Sequence, residues 1–159
     1  RGAKIYGESV GDGSTSDGFE RCVPSGEGAE RGMEMALKET TKKIDYINTH
    51  GTSTPQGDIK ELDAIKSLFS KYEIEEPMIS TTKSLTGHAV GAAGVHEAIY
   101  SLLMMENSFV SPSVNIDKFD DGAKESNIVT ERKDVELNTV MSNSFGFGGT
   151  NVSLVFKKI

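Results

Sequence analysis

The sequence contains no tryptophan, four prolines and a single cysteine in 159 residues. One cysteine cannot build an internal disulfide framework, so the expected setting is a reducing cytoplasm. No apolar run approaches the ~18 residues a membrane helix needs, and no signal-peptide pattern is present. Basic residues are also scarce: 17 Lys and Arg stand against 24 Asp and Glu, for a net charge of −7. That balance argues against non-specific binding of a nucleic-acid backbone and leaves room only for a local basic patch. Neither an HExxH motif nor paired CxxC occurs, and His88 and His96 lie eight apart, so no metal site is expected. What remains is 36% hydrophobic and 26% charged, a globular composition long enough to bury a core without staples.

Glycine is the residue in excess. There are 17, above the roughly 7% that is usual. Most of them fall in three groups, over 7–32, 87–94 and 146–149, each beside a strand-like or helix-like run. Such places are where backbone turns tightly or approaches a ligand closely. Residue 1 is Arg, not Met, which points to a processed chain or a piece of something longer.

Periodicity gives the order of elements. Segment 4–10 reads as a short strand and 11–24 as turn-rich loop. Ser25 is placed to N-cap a helix to about residue 37, with Ala29, Met33, Ala36 and Leu37 on one face. Segment 44–48 is a short β-type run. Asp58, with Glu61 three residues on, resembles a capping box, and Ile59, Leu62, Ile65, Leu68 and Phe69 keep the helical period. Segment 78–80 is another strand. Segment 91–106 is a helix apolar almost all round, expected to be buried on several sides. That is unusual in a stand-alone domain of this size and natural if another domain covers it. Segments 127–130, 139–144 and 151–156 follow, the last two as a β-pair around a glycine-rich turn. The order βαβαβαββ predicts an α/β layered domain with a mixed sheet and no internal boundary.

The candidate chemistry lies at strand exits and helix entries. His50 follows the strand at 44–48, and His88 precedes the apolar helix. Ligands of α/β proteins bind at the carboxyl ends of strands, so the two imidazoles either converge on one substrate or are ordinary surface-loop histidines. His96, inside the helix, reads as a packing or hydrogen-bonded residue. Lys83 is either a solvated charge or a group that orients or tunes the histidine five residues on. Thr52, Ser53 and Thr54 offer hydroxyls to an amide-bearing ligand or support a turn. The run from Ser142 to Asn151 has neither GxGxxG nor GK[ST] spacing. It is either a glycine hairpin anchored by Phe145 and Phe147 or a loop whose N–H groups approach a ligand. Cys22, in Phe19-Glu20-Arg21-Cys22-Val23-Pro24, lacks the context of an activated nucleophile and reads as a loop or packing residue.

Three motifs in order carry a resemblance. They are Asn48-Thr49-His50-Gly51-Thr52-Ser53-Thr54-Pro55, then Thr82-Lys83-Ser84-Leu85-Thr86-Gly87-His88 with Gly91-Ala92-Ala93-Gly94, then Asn143-Ser144-Phe145-Gly146-Phe147-Gly148-Gly149-Thr150-Asn151. Together they resemble the C-terminal half of β-ketoacyl-acyl carrier protein synthases, most closely the bacterial type I elongation synthases. The resemblance implies the thiolase-like fold, here one βαβαβαββ half with a mixed sheet covered by helices. It implies a decarboxylative Claisen condensation between an acyl chain on an active-site cysteine and malonyl-acyl carrier protein. His50 and His88 match the histidines of the decarboxylation site and Lys83 the lysine that supports them. Thr52 and Thr54 match the threonines that bind the phosphopantetheine amides. The Phe147 N–H matches half of an oxyanion hole, and Phe145, Gly146, Phe147 and Gly148 match the gate to the acyl pocket.

No cofactor is implied beyond the phosphopantetheine of the carrier protein. The implied partners are acyl carrier protein, malonyl- and acyl-thioesters and a second copy in a homodimer, without nucleic acid or membrane. Cys22 aligns with no catalytic position of the family, whose nucleophile belongs to the N-terminal half. Residues 1–159 are therefore expected to be the C-terminal domain, cut at Arg1 and inactive alone. The alternatives are a non-catalytic module for pantetheine thioesters and a cysteine-less partner subunit resembling a chain-length factor.

Overall fold

The structure, a computed structural model, describes residues 1–18, 25–38, 40 and 43–159. One five-stranded mixed sheet organises them. Its strands are β1 (Glu8–Ser16), β2 (Tyr46–Asn48), β3 (Met78–Ser80), β6 (Thr139–Phe145) and β7 (Thr150–Lys157), in the order β1-β7-β6-β2-β3. β2 runs parallel to both β3 and β6, and β7 runs antiparallel to its neighbours β1 and β6. A small antiparallel pair, β4 (Phe109–Val110) and β5 (Lys133–Asp134), lies apart. The helices are α1 (Glu27–Lys38), α2 (Gly57–Lys71), a single turn α3 (Lys83–Thr86) and α4 (Ala93–Asn107), the last entered through a 3-10 turn at Val90–Ala92.

Strand alternation sends successive side chains to opposite faces, and two apolar clusters result. Ile47, Met141 and Val155 join Met33 and Leu37 of α1 and Ile65, Leu68 and Phe69 of α2. Tyr46 and Val140 join Met104 and Met105 of α4, with Leu137. The sheet is thus covered by helices on both faces, as the order of elements predicts.

β1 differs from the sequence expectation. It begins at Glu8 and continues to Ser16, through residues expected to be loop. Gly11, Gly13 and Thr15 alternate as its buried side, a period-2 pattern hidden because two members have no side chain. They are small because α1 lies directly on them. A Cβ at Gly13 would overlap the Gly32 carbonyl oxygen, and one at Gly11 the Ala36 carbonyl oxygen. Thr15 Oγ1 donates to the Gly28 carbonyl at 2.6 Å across the same contact. Gly11 and Gly13 of the first glycine group are therefore a packing surface. Ser25 caps α1 as expected: its Oγ accepts the Glu27 N–H at 3.1 Å and donates to Asp17 at 2.6 Å.

Two further expectations are corrected. Asp58 and Glu61 form no capping box. α2 starts at Gly57, and both carboxylates turn back onto the loop before it, Asp58 to Thr52 and Thr54 and Glu61 to His50 and Gly51. α4 is buried on one side only. Ala93, Glu97, Ser101, Met104 and Met105 face inward, whereas Val95, Ile99 and Leu103 are 62%, 47% and 40% exposed. The buried side mixes the polar Glu97 and Ser101 with apolar residues, and the exposed side carries three large apolar ones, unlike an ordinary surface helix.

Candidate active site

β2 and β3 are neighbours, and both end toward the same edge of the sheet. Thr49 N–H bonds to the Ser80 carbonyl at 3.0 Å, so the two exits stay together. His50 leaves one of them and Lys83 the other. A polar web under both exits holds the chains in place. Asn48 Oδ1 accepts from the Thr82 N–H at 3.4 Å, and its Nδ2 donates to Thr82 Oγ1 at 3.3 Å.

The His50 loop is clamped from two directions. Glu61, fully enclosed on α2, accepts the His50 N–H on one oxygen and the Gly51 N–H on the other, each at 2.9 Å. Asn143 Nδ2 adds a third bond at 3.2 Å. Burial nevertheless dominates and pushes the Glu61 carboxyl up to about 7, the three hydrogen bonds pulling it back only in part. From the other side, Lys83 Nζ donates to the His50 carbonyl at 2.5 Å and forms an ion pair with Glu97 of α4. Both members of that pair are buried. Burial raises the Glu97 carboxyl, with Lys83 opposing.

His50 and His88 meet edge to face, with ring centroids 5.6 Å apart and planes at 85°. Phe145, at the end of β6, lies 5.9 Å from the His50 ring. Burial, then the Lys83 charge, then His88 lower the His50 imidazole to about 4, so it is neutral near pH 7. His88 is exposed, and its Nδ1 accepts the Val90 N–H at 3.1 Å. An acceptor at Nδ1 puts the neutral ring's proton on Nε2, leaving Nε2–H as a donor. The turn that supplies this N–H holds Val90 at φ 51°, left-handed backbone that a β-branched residue seldom adopts.

The other sequence-predicted residues divide. Thr52 and Thr54 lie on the loop after His50 with their hydroxyls 3.4 Å apart, and Asp58 Oδ1 accepts both N–H groups. Phe147 stands at the tip of the β6–β7 turn, 85% exposed, so it is Phe145 that reaches the His50 imidazole. Gly146 N–H closes that turn onto the Thr150 carbonyl at 2.7 Å, and Gly148 and Gly149 take φ of 79° and 81°. A Cβ at Gly149 would strike the Asp17 carbonyl oxygen. His96 is not a core residue; it is exposed on α4, with its ring 6.1 Å from that of Tyr100. Lys83 bears on the His50 loop through a carbonyl, whereas the sequence pairs it with His88 by proximity. Cys22 lies outside the described residues. Among the described residues, no three His, Cys, Asp or Glu side chains are placed to hold a metal ion. No helix among them is long and apolar enough to cross a membrane.

Glu61 and Glu97 were missed as site residues. Each is the lone carboxylate on the buried face of its helix, which is the signal that marks them.

Comparison with known proteins identifies the family. The family model for the β-ketoacyl synthase C-terminal domain matches residues 6–117. The chain is 60% identical to 3-oxoacyl-[acyl-carrier-protein] synthase 1 of Haemophilus influenzae, over 99% of this chain and 38% of that protein. It is 59% identical to the Escherichia coli synthase 1, over 100% of this chain and 38% of that one. The chain thus spans about two-fifths of the length of these relatives. Among solved structures, a β-ketoacyl synthase from Burkholderia phymatum superposes with a TM-score of 0.92 at 36% identity, covering 100% of this chain and 39% of that one. A type II polyketide ketosynthase in complex with its acyl-carrier protein gives a TM-score of 0.91 at 31% identity, over 100% of this chain and 40% of that one. The fold is therefore the thiolase-like one. With more than half of its length matched by the family model, and with relatives this similar, the chain belongs to the β-ketoacyl synthases and corresponds to their C-terminal domain.

Proposed function

We propose that the chain supplies the decarboxylation half-site of a β-ketoacyl-acyl carrier protein synthase acting in fatty-acid elongation. The observation that carries this reading is the convergence of His50 and His88, 5.6 Å apart, with one ring held neutral by burial and the other held as the Nε2–H donor. In the proposed reaction, the C–C bond to the malonyl carboxylate breaks and carbon dioxide leaves. The electron pair remains as an enolate, whose negative charge gathers on the thioester oxygen. N–H donors of the two imidazoles, directed at that oxygen, stabilise the charge as it forms. The carbanion then attacks an acyl thioester carbonyl and expels a cysteine thiolate. That cysteine belongs to the N-terminal half of the synthase, and the 159-residue chain alone is inactive on this reading.

Thr52 and Thr54 hold the phosphopantetheine amides, an arrangement supported by their adjacent hydroxyls beside His50. The Phe147 N–H serves the acyl thioester oxygen, and Phe145, Gly146, Phe147 and Gly148 form the acyl gate. An exposed phenylalanine on a turn with two left-handed glycines suits a part that moves as the chain enters. The exposed apolar face of α4 packs against the N-terminal half. The enzyme takes no cofactor of its own, works as a homodimer in the cytoplasm and receives its substrates from acyl carrier protein.

The test is made in the protein that joins this domain to its cysteine-bearing half. His50→Ala and His88→Ala each lower malonyl decarboxylation by roughly a hundredfold or more, the loss expected for one oxyanion donor. Acyl transfer to the cysteine persists in both. Undiminished decarboxylation in both variants rejects the assignment.

A further inference from the structure

Two imidazoles can share one oxygen only if their loops keep a fixed spacing. β2 and β3 end at Asn48 and Ser80, and both loops continue beyond the sheet. A third segment, 113–115, follows β4 and meets them there. Ser113 is buried, and its Oγ accepts the Thr81 N–H at 2.9 Å. Thr81 Oγ1 in turn donates to the Gly51 carbonyl at 2.9 Å. Val114 N–H donates to Ser84 Oγ at 3.0 Å, and Asn115 Nδ2 donates to the Ser84 carbonyl at 3.1 Å. Asn115 sits at φ 63°, left-handed backbone that asparagine tolerates. The Ser113 N–H is tied to the Val129 carbonyl at 2.8 Å, and Val129 N–H to Ile79 of β3. The segment is thereby fixed to the edge of the sheet.

We infer that Thr81, held by Ser113, is a positioning residue that sets the spacing between the His50 and His88 loops. Lys83 pins the His50 carbonyl and Thr81 pins the next one, that of Gly51. Two consecutive carbonyls of one histidine loop are thus held from one three-residue stretch, and that stretch leads through α3 to the other histidine. Segment 113–115 holds the same stretch from its far side. Thr81 acts through the backbone, and its role rests on the proposed decarboxylation reading.

The experiment compares Thr81→Val, Thr81→Ser and Asn115→Asp in the full-length synthase. Displacing a reacting group by a fraction of an ångström to an ångström costs roughly tenfold to a hundredfold in rate. Thr81→Val lowers malonyl decarboxylation by that factor, mainly in kcat, while acyl transfer to the cysteine is unchanged. Thr81→Ser, which keeps the hydroxyl, restores the rate. In imidazole NMR, Thr81→Val moves the His50 titration midpoint upward from about 4 as the ring leaves its buried setting, and Thr81→Ser does not. Should Thr81→Val fail to fold, Asn115→Asp removes the exposed donor to Ser84 and carries the same expectations. Wild-type decarboxylation with an unmoved His50 titration overturns the inference. So does an equal loss of both half-reactions, the mark of general damage. If His50→Ala retains decarboxylation, the synthase reading fails, and the NMR titration alone then decides the role of Thr81.

Discussion

Lys83 and His50 are joined through the backbone: the lysine ammonium donates to the His50 carbonyl oxygen at 2.5 Å and is balanced by the buried carboxylate of Glu97. This arrangement anchors a histidine loop without a bond to the ring itself. It also places a positive charge beside the imidazole and helps keep it neutral. One side chain therefore does mechanical and electrostatic work together.

Removing one member of this pair exposes its energetics. Lys83→Met leaves Glu97 buried and unpaired, and such a loss costs about 3–5 kcal/mol. Lys83→Met/Glu97→Gln removes both charges and recovers most of that. Urea unfolding of the two variants checks the order. Equal destabilisation of single and double variants contradicts it.

Acid and neutral pH pull on two neighbouring groups in opposite senses. Burial raises Glu61 from 4.5 to about 7, so the folded state binds a proton there more readily than the unfolded one. Its contribution is fully present below about pH 4.5 and is lost as pH rises through about 7. Burial lowers His50 from 6.5 to about 4, so its contribution is present above about pH 6.5 and is lost as pH falls through about 4. Between about pH 4.5 and 6.5 the two slopes oppose each other. Glu61→Gln removes one of them, and its stability then rises more steeply with pH across that window than the parent's. Denaturant midpoints measured at half-unit pH steps test this; parallel profiles refute it.

The contact of α1 on β1 admits no methyl group at Gly11 or Gly13. Gly13→Ala drives a Cβ into the Gly32 carbonyl and destabilises by about 1–3 kcal/mol, the usual cost of overpacking. Gly91→Ala, where the added Cβ meets open space, stays within about 0.5 kcal/mol of the parent. Thermal unfolding distinguishes the two. A neutral Gly13→Ala rules out the close approach.

Much of this was legible from local pattern. The helical faces of α1 and α2, the short strands at 44–48 and 78–80, and the final β-pair follow from apolar spacing, because burial on one face imposes the period. The histidines and Lys83 were legible through their places at strand exits and through motif spacing. β1 was not, since its inward side is glycine and threonine and leaves no hydrophobic trace. The capping box was misread because an acidic residue at the start of a helix has the same spelling whether it caps that helix or reaches back to the preceding loop.

The sequence by itself determined the order of elements, the α/β layering and which residues stand at the strand exits, since each depends on neighbours a few positions away. Only the tertiary structure decided that Glu61 and Glu97 belong with them, that Phe145 and not Phe147 faces His50, and that Lys83 serves the loop of His50. Those relations join residues at least 11 positions apart in sequence. They arise when parallel strands bring distant loops to one edge of a sheet, where burial shifts the titration of Glu61, Glu97 and His50.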